Sequence, residues 1–441
     1  MKSNAREISV RILDNVLYKG AYSNIALNTA FSSANLDPLD SGLAAEIVYG
    51  TLTYLYTLDK IIEMNTNMPI DKIDKKVLNI LRSAIYQIKY LDRVPEYAVI
   101  NEAVEITKID NKKASGFVNG VLRGYLRNQN KKMNFKNEKE ELSVTESFPI
   151  WLIDLLKDQY GSEYTDIVKS LNERGNITLR VNTLISSVEE VLENLLEEGF
   201  EAKKTDISPY GIEIISGKNI FNLDLFKDGK IIVQDESSML VGPELINEMN
   251  DSYIDMCSAP GGKVTHIAEL TEDAKNIYAF DIYDNKIKQI KENKSRLKIS
   301  SIKEEKRDAR IIRENLEESS SVLLDAPCSG IGIIKSKPEI KYNINLEKIE
   351  SLIKLQRQLL EAADKYVKKG SFLVYSTCTL NKRENEENIR WFLKNHPNYE
   401  LVEPKFKDSE NILTSDEYLK TILPTATMDG FFIAKLKKLE Y

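Results

Sequence analysis

Apolar positions recur at helical spacing through the first 140 residues. Ile8, Ile12, Leu13, Val16 and Leu17 form one stripe, with Asn4 placed to cap it. Leu43, Ala44, Ile47, Val48 and Leu52 form a second stripe behind Ser41 as its cap, and further helices are predicted over 75–91, 96–109 and 113–128. Few strand signals interrupt these runs, so residues 1–140 read as an all-α domain. It closes in a polar stretch, NQNKKMNFKNEKEE at 128–141, with the composition of a linker.

The pattern then alternates. FPIWLIDLLKDQYG reads as a helix, ITLRVNT (177–183) as a strand, SVEEVLENLLEEGF as a helix ended by Gly199, and GIEII as a strand. Residues 141–220 are thus a small α+β unit. Over 221–441 come short apolar runs, KIIVQ, SYIDM, NIYAFD, SVLLDA and SFLVYS, separated by helical segments over 236–248, 261–270, 284–297, 346–368 and 381–394. Strand and helix in alternation predict an α/β domain with a largely parallel sheet, right-handed crossovers and helices on both faces. Ligands of such sheets bind beyond the carboxyl ends of the strands, where strand order reverses.

Composition narrows the class. With 441 residues, 42% hydrophobic and 29% charged, the chain can bury several cores. No run approaches the ~20 apolar residues of a membrane span, and MKSNAREISV lacks the apolar segment of a signal peptide, so a cytoplasmic protein is expected. Three cysteines make no disulfide framework and their spacing matches no zinc site, so no metal is expected. Only two histidines, His266 and His396, argue against histidine triads. The net charge of −7 speaks against nucleic acid as a partner, but charge is unevenly distributed. Residues 286–313 hold eleven basic against four acidic side chains, and 101–140 nine against five, clusters of a kind that can hold phosphates.

The chemistry-bearing residues follow the apolar runs. After SYIDM comes CSAPGGK: Cys257, Ser258, Ala259, Pro260, Gly261, Gly262 and Lys263. The two glycines let a ligand approach backbone amides at a helix start. The spacing is neither the dinucleotide pattern nor a P-loop. Asp281 ends the next strand, nineteen residues past Gly262, where a carboxylate suits ribose hydroxyls. Asp308, in KRDAR, is placed to accept from an adenine amino group. A nucleoside cofactor without a pyrophosphate signature points to S-adenosyl-L-methionine.

DAPCSG (325–330) follows SVLL, and Cys378 follows SFLVYST. If these strands are neighbours, Asp325, Cys328 and Cys378 face one cleft. Carbon 5 of cytosine takes a methyl group only after a thiolate has added to carbon 6, and two thiols beside an acid suit that covalent chemistry. Charge developing at ring N3 calls for a carboxylic acid held partly protonated. Spacing alone leaves open which cysteine attacks. Amino-group methylation of adenine would want an Asp/Asn-Pro-Pro-aromatic motif, which DAPC is not.

CSAPGGK, VQDESS (233–238), DAPCSG, VYSTCT and DGFFIAKL (429–436) together resemble the RNA cytosine-5 methyltransferases of the Nop2/Sun family, and within it the bacterial small-subunit rRNA enzymes. The resemblance implies a Rossmann-like S-adenosylmethionine-dependent methyltransferase domain over 221–441. It also implies a NusB-like RNA-binding domain over 1–140 and an RRM-like module over 141–220, with Arg180 contacting RNA. Cys378 is implied as nucleophile, Cys328 as the aid to proton removal or release, and Asp325 as a contact to the base. Cys257 to Lys263, Asp281, Asp308 and Asp325 are implied in cofactor binding. Lys263 would order the turn or screen the cofactor carboxylate, and the Cys257 thiol would pack. The expected partner is 16S rRNA, naked or in early small-subunit particles, with cytosine 967 as target, and the chain acting as a monomer. The alternative is a non-catalytic ribosome-assembly or antitermination factor with a vestigial methyltransferase fold. One departure lies in GIIKSKPEIKY (332–342), where the family carries an Arg and a His near the Pro and this chain has Lys335, Ser336 and Lys337. Lysine there lacks the planar fork of arginine but can still meet a phosphate.

Overall fold

The computed structural model describes residues 4–34, 36–247 and 250–440. They divide into two compact units, Met1–Asn172 with Ile334–Ile344, and Glu173–Ile333 with Asn345–Tyr441.

The first unit is helical. Asn4 caps Ala5–Lys19 by accepting from the Glu7 amide at 2.9 Å, as its position predicts. The next long helix, Pro38–Thr53, starts a turn before Ser41: Asp37 caps it, accepting from the Asp40 amide, and Pro38 takes the first helical position, where a missing N–H costs nothing. Lys75–Tyr90 runs through the core and buries Leu81, Ala84 and Ile85 against Leu58, Val118 and Leu122. Its buried Arg82 forks onto Asp59 at 2.6 and 2.7 Å. The expected linker at 128–141 is only partly one, because Glu138–Thr145 is a helix capped by Asn137. The helices Ile150–Tyr160 and Tyr164–Ser170 also belong to this unit, which runs to Asn172.

The second unit holds two sheets. Strands β1 (Ile177–Val181), β2 (Glu201–Lys204), β3 (Gly211–Ser216) and β4 (Ile231–Val233) form an antiparallel sheet in the order β2-β3-β1-β4. The KIIVQ run, expected in the parallel sheet, is therefore β4, paired with β1 at Arg180 opposite Ile232. A three-residue apolar run signals a strand but not which sheet it joins.

The larger sheet contains β5 (Ser252–Asp255), β6 (Asn276–Asp281), β7 (Ile302–Lys306), β8 (Ser321–Asp325), β9 (Phe372–Thr377), β10 (Tyr399–Leu401), β11 (Ile412–Ser415), β12 (Leu419–Ile422) and β13 (Phe431–Lys438). Its order is β11-β12-β13-β9-β8-β5-β6-β7, with β10 on β13. The pairs from β7 through β6, β5 and β8 to β9 are parallel, and β13 returns antiparallel to β9. Alternation along each strand serves two cores. Ile254, Leu324 and Tyr375 pack on one face, and Tyr253, Leu323 and Val374 on the other.

Helices Gly262–Leu270, Asp284–Arg296, Leu346–Tyr366 and Glu386–Asn395 match four expected segments. The segment expected as one helix over 236–248 is two short ones, Glu236–Met239 and Val241–Leu245, and its end at 248 lies outside the described residues. Strands β2, β7 and β10 to β12 carried no readable apolar run. β7 reads IKEEK, the charged alternation of an edge strand. Among the described residues, no helix is long and apolar enough to cross a membrane.

Within the helical unit, a Cβ added to Gly50 would stand 1.8 Å from the buried Tyr86 ring. Gly50→Ala is therefore expected to lower stability by roughly 1–3 kcal/mol or more through overpacking. A urea melt with an unshifted midpoint would show that the ring can swing aside.

Candidate active site

Strand order reverses between β5 and β8, and a cavity of about 210 Å³ opens beyond their carboxyl ends. Cys257, Ser258, Ala259, Pro260, Gly262 and Lys263 line it, with Asp255, Asp325, Gln234, Asp235 and Ser238. Gly261, the cap of Gly262–Leu270, sits at φ 106°, where a side chain would be strained, and its amide bonds the Ser258 carbonyl at 2.8 Å. The Ser258 amide donates to the Phe280 carbonyl at 2.9 Å, which fastens the turn to β6.

Arg180 is what braces this turn. It is fully buried, forks onto Glu269 at 3.0 and 2.7 Å, and donates to Thr265, Gln234 and the Gly262 carbonyl. The expectation that Arg180 meets RNA is thus corrected: its position on β1 aims it into the second unit, onto the helix that follows the glycine turn. LRVN carries no sign of this, since an inward and an outward arginine look alike in sequence.

The two thiols meet. Asp325 stands opposite Ser376 in the β8–β9 register, so the loops after both strands leave side by side, and Cys328 Sγ lies 3.4 Å from Cys378 Sγ. The adjacent Cys378 sulfur and burial push the Cys328 thiol well above its ordinary range, so Cys328 keeps its proton. Asp325 accepts from Ser376 Oγ at 2.7 Å and from Lys263 Nζ at 2.7 Å. Burial pulls Lys263 down, but Asp325 more than offsets this, and Cys378 adds to it, so Lys263 is held as a cation beside the thiols. The reading of Lys263 as turn-ordering or cofactor-screening misses this partner.

Sequence reasoning passed over two further acids. Glu384 is fully buried and accepts from the Ser329 amide at 2.8 Å, Ser329 Oγ at 2.6 Å, Gln356 at 3.0 Å and Asn381 at 2.9 Å. Ser329 Oγ in turn meets Thr379 Oγ1 at 2.7 Å, so one carboxylate network spans the residues next to both thiols. Asp255, at the end of β5, is also buried, and neither of its oxygens nor Ser258 Oγ has a hydrogen-bond partner. Burial first, then the Asp325 charge, push Asp255 up to about 7. Its place just before CSAPGGK was the available signal. Unmatched buried acceptors call for a ligand that brings donors or positive charge.

Cys257 packs on the core, and burial pushes its thiol well up, so it offers the cavity its backbone rather than a nucleophile. Asp281 ends β6, nearly buried, 3.6 Å from Lys286, and does not line the cavity. Asp308 also stands outside the lining, and Arg310 bonds both its oxygens and draws it below the usual carboxylate range. VQDESS and the terminal strand meet at Asp235, whose two oxygens accept from the Asp429 amide at 3.0 Å.

Many basic side chains at 286–313 have partners. Lys294 pairs with Glu304, Lys306 with Asp284, Arg307 and Arg313 with Glu305, and Arg310 with Asp308, while Arg296 caps the Phe226 and Ile231 carbonyls. Most of those acids lie within the stretch itself, so it keeps an excess of positive charge.

Comparison with known proteins agrees with this geometry. The family model described as 16S rRNA methyltransferase RsmB/F matches residues 244–437, the NusB family matches 3–127, and a ferredoxin-like domain of RsmF/B-like methyltransferases matches 148–220. The chain is 35% identical to the probable ribosomal RNA small subunit methyltransferase B of Bacillus subtilis over 445 residues, 99% of each. It is 32% identical to ribosomal RNA small subunit methyltransferase B of Photorhabdus laumondii, again over 99% of each. A crystal structure of a protein designated PH0851 superposes with a TM-score of 0.84 at 32% identity, covering 99% of this chain and 100% of that one.

Asp255 yields a measurable consequence. Its folded pKa is raised, so the stability it contributes is fully present below the unfolded value of 3.8 and is lost as pH rises through about 7. Asp255→Asn should therefore stabilise the ligand-free protein at pH 8 by a few kcal/mol, with the gain shrinking toward pH 4. Urea melts across that range would contradict the assignment if the gain were the same at every pH.

Proposed function

The chain belongs to the 16S rRNA methyltransferase RsmB/F family, and from that premise we propose that it methylates carbon 5 of a cytosine in 16S rRNA, cytosine 967, through a covalent bond from Cys378 to carbon 6. The observation that carries this reading is the 3.4 Å approach of two thiols beside the Lys263–Asp325 pair. S-adenosyl-L-methionine, when bound, supplies an electrophilic methyl group. The cavity residues suit it: Asp255 offers unmatched acceptors to its cationic end and the CSAPGGK backbone frames it, while Asp281, at the end of β6 beyond the lining, would take the ribose hydroxyls. Asp308 reaches the adenine amino group only once Arg310 has let go.

The protein's own groups perform the rest. Cys328 holds its proton, which leaves Cys378 as the sulfur placed to attack, with the Lys263 ammonium close by. The Cys378 sulfur bonds to carbon 6, and the displaced carbon 5–carbon 6 electron pair makes carbon 5 nucleophilic. Lys263 donates toward the ring as negative charge develops there, and Asp325 keeps a second lone pair on each oxygen for the base's amino group. After methylation a water molecule takes the carbon 5 proton, the freed electron pair re-forms the carbon 5–carbon 6 double bond and expels Cys378 as a thiolate, and the Cys328 S–H protonates that departing sulfur and is itself reprotonated from solvent. Glu384 keeps the loops in register throughout. A vestigial fold would have no use for a buried network spanning both thiol loops, which speaks for the enzyme over the assembly-factor alternative.

Cys378→Ala should lower methyl transfer by about a thousandfold or more and abolish any covalent complex. Substantial surviving activity would remove Cys378 from its role. Cys328→Ala should instead trap a protein–RNA adduct that survives a denaturing gel, and a variant that turns over without such a band would shift release to another group. Bisulfite sequencing of 16S rRNA from cells lacking this gene should show cytosine 967 unmethylated, and its persistence as 5-methylcytosine would refute the site.

A further inference from the structure

The stretch that departs from the family pattern leaves the catalytic unit just after the Cys328 loop. Its root is held tightly: the Gly332 amide donates to the Cys378 carbonyl at 3.0 Å, and the Gly332 carbonyl accepts from the Gly430 amide at 2.9 Å. A Cβ on Gly332 would fall 1.8 Å from the Gly430 oxygen, so only glycine fits. Residue 332 is thus bonded to one thiol's carbonyl while lying four residues from the other thiol.

From Ile334 to Ile344 the chain is part of the helical unit. Glu339 is buried and accepts from the Ser23 amide at 2.9 Å and its hydroxyl at 2.9 and 3.0 Å, at the first residue of the helix Ser23–Ala34. Lys341 is buried and donates to the Thr53 carbonyl at 2.8 Å and to Asn172 at 3.0 Å. Tyr342 donates to the Leu52 carbonyl at 2.8 Å. Leu52 and Thr53 end the helix Pro38–Thr53. An acid at one helix start and a lysine Nζ at another helix end satisfy backbone groups that a helix cannot satisfy itself. Burying a lysine and a glutamate is expensive, and a surface loop meant only for phosphate would need neither.

We propose that Glu339 and Lys341 are positioning residues: residues 334–344 form a strap through which the helical unit sets where the Cys328 and Cys378 loops stand. This rests on the thiol mechanism above, and alkylation of the thiols tests it separately from methyl transfer.

Two full-length variants decide it. Lys341→Met removes an anchor, and insertion of two glycines after Ser336 slackens the strap while leaving both anchors in place. In each, single-turnover methyl transfer should fall at least about tenfold, because small misplacements of reacting groups cost that much, with the KM for RNA moving less than about twofold. The rate at which iodoacetamide alkylates Cys378, read by mass spectrometry on protein with an intact thermal transition, should change at least about threefold. If Lys341→Met does not fold, the insertion variant decides alone. Wild-type rates of both reactions in the insertion variant, or a loss confined to KM, would overturn the proposal. If the wild-type protein proves not to methylate carbon 5, the alkylation comparison still tests the strap.

Discussion

The pairing of β8 with β9 is the constraint on which the site depends. Asp325 lies opposite Ser376, so the chain leaves both strands at the same level and the two thiols arrive within contact. Side chains alternate faces along a strand, and a slip of one residue would exchange the two faces of β9 and part the sulfurs. Register is held by burial. Leu324 and Tyr375 belong to one core and Leu323 and Val374 to the other, so any slip would mismatch both cores at once.

Around that pairing, buried charges do structural work at different ranges. Arg180 joins the small sheet to the helix after the glycine turn through Glu269, and Glu384 joins the loops after the thiols. A buried ion pair adds little net stability over a well-packed apolar pair, but losing one partner costs several kcal/mol. Such pairs therefore specify geometry more than they stabilise it. Asp255 is the exception, a buried acid with no protein partner, and it lies where a ligand would supply one.

The overall charge of −7 and the basic stretch at 286–313 looked contradictory in sequence. Several of those cations pair with acids close by in the chain, as Arg310 does with Asp308, and Lys294 reaches Glu304 on β7. Counting charges along a chain cannot separate a phosphate-binding face from a salt-bridged one, because pairing depends on which strands lie side by side.

The sequence alone determined the all-α start, the alternation of strands and helices that makes the larger sheet, and the strand-end placement of CSAPGGK, Asp281, DAPCSG and Cys378. Those follow from local rules: helical period, strand period, and glycine where a turn needs it. The charged edge strand β7 and the strand β4, which joined the smaller sheet, escaped those rules because a short run does not name its partner. Only the tertiary structure decided that Cys328 and Cys378 touch, that Arg180 faces inward, and that Lys263 pairs with Asp325. It alone gave Glu384 and Asp255 their places, and alone put Glu339 and Lys341 inside the helical unit. These are contacts between residues far apart in the chain, and a side chain's partner is set by the fold that surrounds it, not by its neighbours in sequence.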